Sequence, residues 1–465
     1  MNKYYITTAI DYTNDVIHIG HAYQKILADV LARYHRQLGD KTFFLTGTDE
    51  HGTTSEQAAK KAGKEPKEFV DEISAKDKEQ IDSLNISYDR FIRTTDPDHK
   101  ELVREFYLKV KSNGDIYKGT YKGLYCVGCE SYKTEGEIVD GKCPLHPTRE
   151  LQSIEEENYF FTWSKYENFL RNHIEENPNF IKPEARKNEM LAFLDQGLRD
   201  IAISRQRDKV SWGIPIPNDP KHVFYVWFDA LLNYISGAPD FWPASVHILG
   251  KDNVRWHALL WPAMLKSAGY PLPKTIYGHG FATIDGQKIS KSLGNIIRPT
   301  ELVKEFGVDG TRHYFLRYGP LTEDTDIKLS TIKDTYNSDL ANNLGNLVSR
   351  VAKIAESSNF EFPPAKVNIQ NPQFAPYHKT LEEFRLNDSV SFVWEKISEA
   401  NKFIDENRPW EQEGESLKQT LEHLVVKINE IASLLKPFLP KTAEKIEKQF
   451  KGPKISFTEP LFPRI

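Results

Sequence analysis

The spacing of apolar positions changes period several times along this chain. Residues 4–10 are an apolar run with strand character. Over residues 21–38, Ile26, Leu27, Val30, Leu31 and Tyr34 recur every three to four positions, which predicts a helix with one buried face. Residues 42–45 read as strand again, so the chain opens as β-α-β. The polar stretch from Thr46 to Gly52 follows as a loop at the carboxyl end of that strand. Helical spacing then runs to about residue 83 and returns over 97–112.

Between residues 117 and 159 the helical period disappears among glycines and short strands, which marks an insertion. Helix resumes over 164–199, and Trp212-Gly213-Ile214-Pro215-Ile216-Pro217 forms a stiff connector. Strand is expected over 223–227, helix over 229–235, strand over 246–249, helix over 254–266 and strand near 275–281. From about residue 326 to 449 only long helical runs remain, including 340–354 and 386–404. The fold expected is α/β: a Rossmann-like parallel sheet interrupted by an insertion and followed by an all-helical bundle.

A length of 465 residues suits two or three domains. Charged residues make up 27%, and no apolar run is long enough to cross a bilayer, so a soluble protein with no membrane partner is expected. The first residues pass directly into strand-like sequence without a leader, which points to the cytoplasm. A net charge of −5 excludes a uniformly basic nucleic-acid binder but leaves room for local basic clusters that hold RNA.

All three cysteines lie close together, as Cys126-x-x-Cys129 and, after thirteen intervening residues, Cys143-x-x-His146. Two tight turns that each present two ligands suit tetrahedral Zn²⁺, and nothing acidic or open accompanies them, so the zinc would be structural. A disulfide with one spare thiol is the other reading of three cysteines.

Four further clusters carry candidate chemistry. His18-Ile19-Gly20-His21 stands where strand gives way to helix; free N–H groups at a helix start favour anions, and imidazoles there can donate to phosphoryl oxygens. A histidine at that position also serves as a cap. Asp49 and His51 sit at a strand end, where open α/β sheets bind ligands, although both residues also suit turns and caps. Lys288-Ile289-Ser290-Lys291-Ser292 lies between glycines and suits a loop that closes on polyphosphate; the other reading is a solvated basic loop. In the helical part, Asn346 and Arg350 share a helix face, and Trp410 follows Arg408-Pro409 at a helix end. An amide, a guanidinium and an indole can read and stack unpaired bases, or can be a cap, an ion-pair partner and a core aromatic.

His18 to His21, the lysine-serine loop and the zinc-type insertion between them together resemble the class I aminoacyl-tRNA synthetases, and within that class the methionine-specific branch. The resemblance covers nearly the whole chain. It implies a catalytic domain in two halves (1–115 and 211–275), a connective insertion with a zinc knuckle (116–210), a stem region with the lysine loop (276–330) and a helical anticodon-binding domain (331–465). It implies that Ile10, Tyr12, Trp227, Ala230, Tyr234 and His257 surround methionine, and that Asp49 takes its ammonium group. Ile10 stands where leucine is common, and Leu231 where one branch has proline.

The same resemblance gives His18, His21, Lys288, Lys291 and Arg205 catalytic roles and places ATP at Gly20, Gly250, Asp252, Ser290, Lys291 and Ser292. Cys126, Cys129, Cys143 and His146 would hold Zn²⁺, and Mg²⁺ would accompany ATP. Asn346, Arg350 and Trp410 would read the CAU anticodon of tRNA(Met). The chain ends without an appended oligonucleotide-binding domain, so a monomer is expected. Competing readings are a class I synthetase for cysteine, isoleucine or valine, a small nucleotidyltransferase that shares His-x-Gly-His, and a non-catalytic tRNA-binding paralogue. The editing insertion of the isoleucine and valine enzymes does not fit this length.

Overall fold

The computed structural model describes every residue except Met1, Glu130, Thr134, Glu135, Glu137, Leu145, Thr148, 290–293 and Ala365. Lys291, Ser290 and Ser292 of the lysine loop therefore lie outside the described residues. The chain divides into two compact units. Unit 1 takes Met1–Ile17, Asp40–Gln80 and Tyr88–His279, and unit 2 takes His18–Gly39, Ile81–Ser87 and Gly280–Ile465.

Unit 1 is built on a seven-stranded sheet. Its strands, in chain order, are β1 (Lys3–Thr8), β2 (Asp11–Tyr12), β3 (Lys41–Asp49), β4 (Arg90–Arg93), β5 (Ile181–Lys182), β6 (Val246–Gly250) and β7 (Ile276–His279). The spatial order is β2-β3-β1-β6-β7-β5, with β4 also on β3, and every pairing is parallel. The run over residues 4–10 breaks after Thr8, and Asp11 and Tyr12 resume pairing beside Thr48 and Asp49. β1 has β3 on one side and the late strand β6 on the other, so the chain order reverses there. In open α/β sheets the crevice outside the carboxyl ends at such a point receives the ligand. Tyr5, Leu45, Phe106, Phe228, Trp261 and Ile276 belong to the buried core of this unit.

Three expectations change here. β3 continues through Thr46 to Asp49, so most of the expected loop is strand, and Asp49 is its last residue. Residues 219–224 form a strand of a small antiparallel sheet with Ser204–Gln206 and Pro215–Ile216, and Trp227 lies on the helix Val226–Ala230. The apolar run over 223–227 fits either element, because a fully buried short helix has no polar face to mark its period. Within residues 164–199, Ile181–Lys182 is the edge strand β5, too short to show a period.

The insertion is a long antiparallel hairpin of Ile116–Cys126 with Gln152–Phe161, in register from Ile116↔Phe161 to Tyr125↔Gln152. Ser131–Lys133 and Ile201–Ala202 complete its four-stranded sheet.

Unit 2 contains α1 (Ile19–Gln37), a three-stranded sheet of Ala282–Ile284, Gln287–Lys288 and Thr325–Ile327, and the helix α2 (Pro299–Tyr318), which is broken at Gly307 by a φ of 71°. Leu329–Thr335, Asn346–Ser358, Ala375–Glu382, Leu386–Asn407, Gly414–Leu435 and Pro440–Gln449 follow as the bundle. α1 was expected to bury one face. Instead every side chain from Ala22 to Ala32 is buried, including Gln24, Lys25 and Asp29. Its polar residues are therefore internal partners rather than a wet face.

Candidate active site

Ile10, Tyr12, Asp49 and Gly250 all stand at the carboxyl edge of the parallel sheet, as their places after β1, in β2 and at the ends of β3 and β6 require. Asp49 is buried, and its carbonyl accepts from the Thr13 amide at 3.1 Å. Tyr12 meets Trp227 edge-on at 6.4 Å, and Trp227 stacks on Trp256 at 4.8 Å. Ala230 is buried on the same short helix as Trp227, and Tyr234 follows on Asn233–Ser236. Asp252 is exposed on the turn Lys251–Asn253 that continues from Gly250.

His257 lies in a π-helical turn, Trp256–Leu260, an irregularity frequent at functional sites. Its Nδ1 is 2.9 Å from the Asn253 carbonyl, which can only accept, so Nδ1 carries the proton. Nε2 is then an acceptor, and the Tyr234 hydroxyl, 2.7 Å away, donates to it. Burial lowers the His257 pKa to about 4, outweighing the carbonyl that raises it, so the imidazole is neutral near pH 7. Burial also pushes the Tyr234 phenol upward. The two side chains and Trp227 form an uncharged, aromatic wall.

The wall is anchored by a residue that sequence reasoning missed. Asp229, fully buried between Trp227 and Ala230, accepts from His51 Nδ1 and His99 Nε2, each at 2.7 Å. Burial pushes its carboxyl up, but the two imidazoles outweigh burial and hold it at about 2. His99 Nδ1 meets Ser236 Oγ at 2.9 Å, and Trp212 Nε1 donates to the Glu50 carbonyl at 2.6 Å. The segment that carries Asp49 is thus bolted to the helix that carries Trp227. A lone acid inside the apolar run over 226–232 was the available signal.

Arg205 is buried on Ser204–Gln206. Its fork donates to Glu156 through Nε at 3.2 Å and Nη2 at 3.3 Å, and its guanidinium lies over the Tyr125 ring at 4.5 Å. The structure therefore places it against the insertion hairpin, next to the residue that precedes Cys126.

In unit 2, His18 is the N-cap of α1. Its Nδ1 accepts from the Gly20 amide at 3.1 Å, while His21 Nδ1 accepts from the His18 amide at 3.4 Å. The rings lie 4.0 Å apart. Both acceptor roles put the proton of each neutral ring on Nε2, and each imidazole caps the helix through Nδ1. A Cβ on Gly20 would sit 2.9 Å from His18 Cε1, so only glycine leaves the cap undisturbed. Lys288 is exposed and pairs with Thr283 across the hairpin.

The ligand atoms of Cys126, Cys129, Cys143 and His146 all lie within 4.8 Å of one another, and the three cysteines form no disulfide. Cys129 Sγ is 3.5 Å from Cys143 Sγ and 3.3 Å from His146 Nδ1. These separations fit donors around one tetrahedral ion and are too long for a disulfide. Burial pushes the Cys129 thiol up to about 12, opposed by Lys133 and reinforced by Cys126. A cation is what would turn the three thiols into thiolates. The ideal Cβ at Gly128 would lie 2.5 Å from the His146 ring, so the knuckle closes only around glycine. The quartet could hold a metal ion.

A family profile described as class I tRNA synthetases (M) matches residues 4–153 and 147–352. The chain belongs to the methionine branch of the class I tRNA synthetases. The methionine–tRNA ligase of Thermotoga maritima is 43% identical over 98% of this chain and 76% of that protein; the one from Nostoc sp. is 42% identical over 98% and 91%. Mycobacterium tuberculosis methionyl-tRNA synthetase in complex with methionyl-adenylate superposes with a TM-score of 0.91 at 36% identity, with both chains covered in full. Among the described residues, no helix of this synthetase is long and apolar enough to cross a membrane.

In the bundle, Arg350 Nη2 pairs with Asp405 Oδ1 at 2.8 Å, and its guanidinium lies over the Trp410 ring at 5.4 Å. Trp410 is 53% exposed. Asn346 is exposed one turn before Arg350 at the start of Asn346–Ser358. Arg350 and Trp410 thus meet, and Trp410 is not a core aromatic.

Proposed function

We propose that the chain is a methionine–tRNA ligase that couples L-methionine to the 3′-terminal adenosine of tRNA(Met) with ATP as co-substrate. The observation that carries the methionine assignment is the neutral wall of Trp227, Tyr234 and His257 in a chain of this family. A long polarizable thioether suits apolar and aromatic surfaces, and no charge stands in that wall to select a polar substrate. Ile10, Tyr12 and Ala230 complete the pocket, and Asp49 takes the substrate ammonium.

In the first step a methionine carboxylate oxygen attacks the α-phosphorus of ATP. The bond to the β,γ-diphosphate breaks, and pyrophosphate leaves with the methionyl-adenylate retained. His18 and His21 donate Nε2–H to phosphoryl oxygens as charge develops, and Lys288 and Lys291 offset charge on the pyrophosphate. Gly20, Gly250, Asp252, Ser290 and Ser292 are assigned to ATP, and Arg205 to the reacting carboxylate and phosphate. Mg²⁺ arriving with ATP would share the polyphosphate charge. In the second step a ribose hydroxyl of the tRNA attacks the acyl carbon, AMP departs, and its phosphate can take the proton.

Asn346, Arg350 and Trp410 read the anticodon, with the exposed indole as stacking platform. Residues 1–115 and 211–275 are assigned to catalysis, 116–210 to the connective insertion, 276–330 to the stem and 331–465 to anticodon binding. Cys126, Cys129, Cys143 and His146 are assigned to one structural Zn²⁺, and the protein to the cytoplasm as a monomer. Incubation with labelled methionine, ATP and a CAU-anticodon tRNA tests the overall reaction. Alkali-labile label on the RNA is expected. Adenylate without RNA labelling would restrict the activity to activation.

A further inference from the structure

The histidines of α1, Lys288 and the anticodon candidates all fall in unit 2. Within that unit α1 is tied at three levels. At its first turn the Ile19 amide donates to the Ile297 carbonyl at 3.0 Å, just beyond the lysine loop. At the next, Tyr23 meets Phe315 at 6.2 Å and lies so close to Gly319 that a Cβ there would be 2.6 Å from its ring. Further along, the Asp29 carboxylate meets Arg312 Nη1 at 2.7 Å, both side chains fully buried.

Arg312 does more than neutralise Asp29. Nε donates to the Phe438 carbonyl at 2.8 Å, Nη2 to the Pro437 carbonyl at 3.0 Å and Nη1 to the Leu84 carbonyl at 3.4 Å. Pro437 and Phe438 lie in the turn between the last two helices of the bundle. Asp29 Oδ1 accepts from the Ser87 amide at 2.7 Å and hydroxyl at 2.6 Å, and Oδ2 from Arg33 Nε at 2.7 Å. A planar fork whose three nitrogens end on α1, the turn near residue 84 and the bundle fixes both rotation and axial position. A buried ion pair adds little net stability over an apolar pair of similar volume, because desolvation cancels most of its attraction; registry is its best-attested use.

We propose that Asp29 and Arg312 are positioning residues for the reaction: they set the register of α1 against the bundle and thereby the placement of His21 and His18, about 12 and about 17 Å along the helix. This rests on the phosphate role given to those histidines. The geometry is demanding, since a displacement of about 1 Å at a reacting centre can cost roughly a hundredfold in rate.

The test replaces both charges at once, Asp29→Leu with Arg312→Met, and measures methionine-dependent ATP–pyrophosphate exchange per active site titrated by adenylate formation. Expected are a lowered melting temperature, because the carbonyls of Leu84, Pro437 and Phe438 lose their donor, an unchanged methionine KM and a kcat per titrated site at least tenfold lower. A kcat per titrated site within twofold of the parent overturns the proposal, as does an equal loss in kcat and in methionine affinity. If the charge-free pair does not fold, Arg312→Lys decides, because it keeps the charge and drops the fork. A kcat at least threefold lower at constant KM supports the positioning role, and an unchanged kcat removes it. His21→Ala, run in parallel, separates the two levels. If it leaves kcat intact, the phosphate role fails; if it lowers kcat while the Asp29 and Arg312 variants do not, only the positioning role fails.

Discussion

Tyr234→Phe isolates a single hydroxyl whose proton is already committed. His257 gives its Nδ1 proton to the Asn253 carbonyl, so Tyr234 must donate to Nε2, and its oxygen offers only lone pairs to the pocket. Removing the hydroxyl leaves a buried imidazole acceptor unsatisfied, which costs about 1–3 kcal/mol. At roughly 2–4 °C per kcal/mol for a unit of this size, melting should fall by about 2–12 °C. Methionine loses only contact with an oxygen that does not donate to it, so its KM in ATP–pyrophosphate exchange should rise about fivefold or less, on the order of 1 kcal/mol. Differential scanning fluorimetry and exchange kinetics on the same preparation give both numbers. A KM raised more than a hundredfold with unchanged melting would mean that the hydroxyl donates to the substrate, and the proton arrangement deduced for the pair would be wrong.

Other expectations follow from the same geometry. Gly128→Ala forces the His146 ring back by about 1 Å, far beyond the roughly 0.2 Å tolerance of a metal bond, so metal content after mild chelation should fall well below the parent's; full retention would contradict the knuckle geometry. The His257 pKa of about 4 lies below the unfolded value of about 6.5, so its stabilising contribution is complete above pH 6.5 and is lost as pH falls toward 4. That is about 3 kcal/mol, and urea midpoints should slope over this window in the parent and less in His257→Gln. Trp410→Ala should weaken tRNA binding roughly 5- to 150-fold through lost stacking while exchange without RNA is preserved; equal loss in both would return Trp410 to a structural role.

What could be read from the sequence was local. The period of residues 26–34 located α1, cysteine spacing located the knuckle, and His-x-Gly-His marked a helix start. The structure adds that each histidine caps α1 through Nδ1, which puts the proton of a neutral ring on Nε2. Long-range partners were not legible. Nothing near Asp229 announces His51 and His99, nothing near Arg205 announces Glu156, and nothing near Asp29 announces Arg312. The apolar run over 223–227 predicts a strand, whereas Trp227 lies on a short, fully buried helix that shows no period.

The central claim is that the neutral pocket of Trp227, Tyr234 and His257 belongs to an adenylate-forming site for methionine. ATP–pyrophosphate exchange measured separately with each standard amino acid tests it most directly. Methionine alone should drive exchange, and His21→Ala should depress it with little change in methionine KM. Exchange with isoleucine, valine or cysteine but not with methionine, or none with any amino acid, would contradict it.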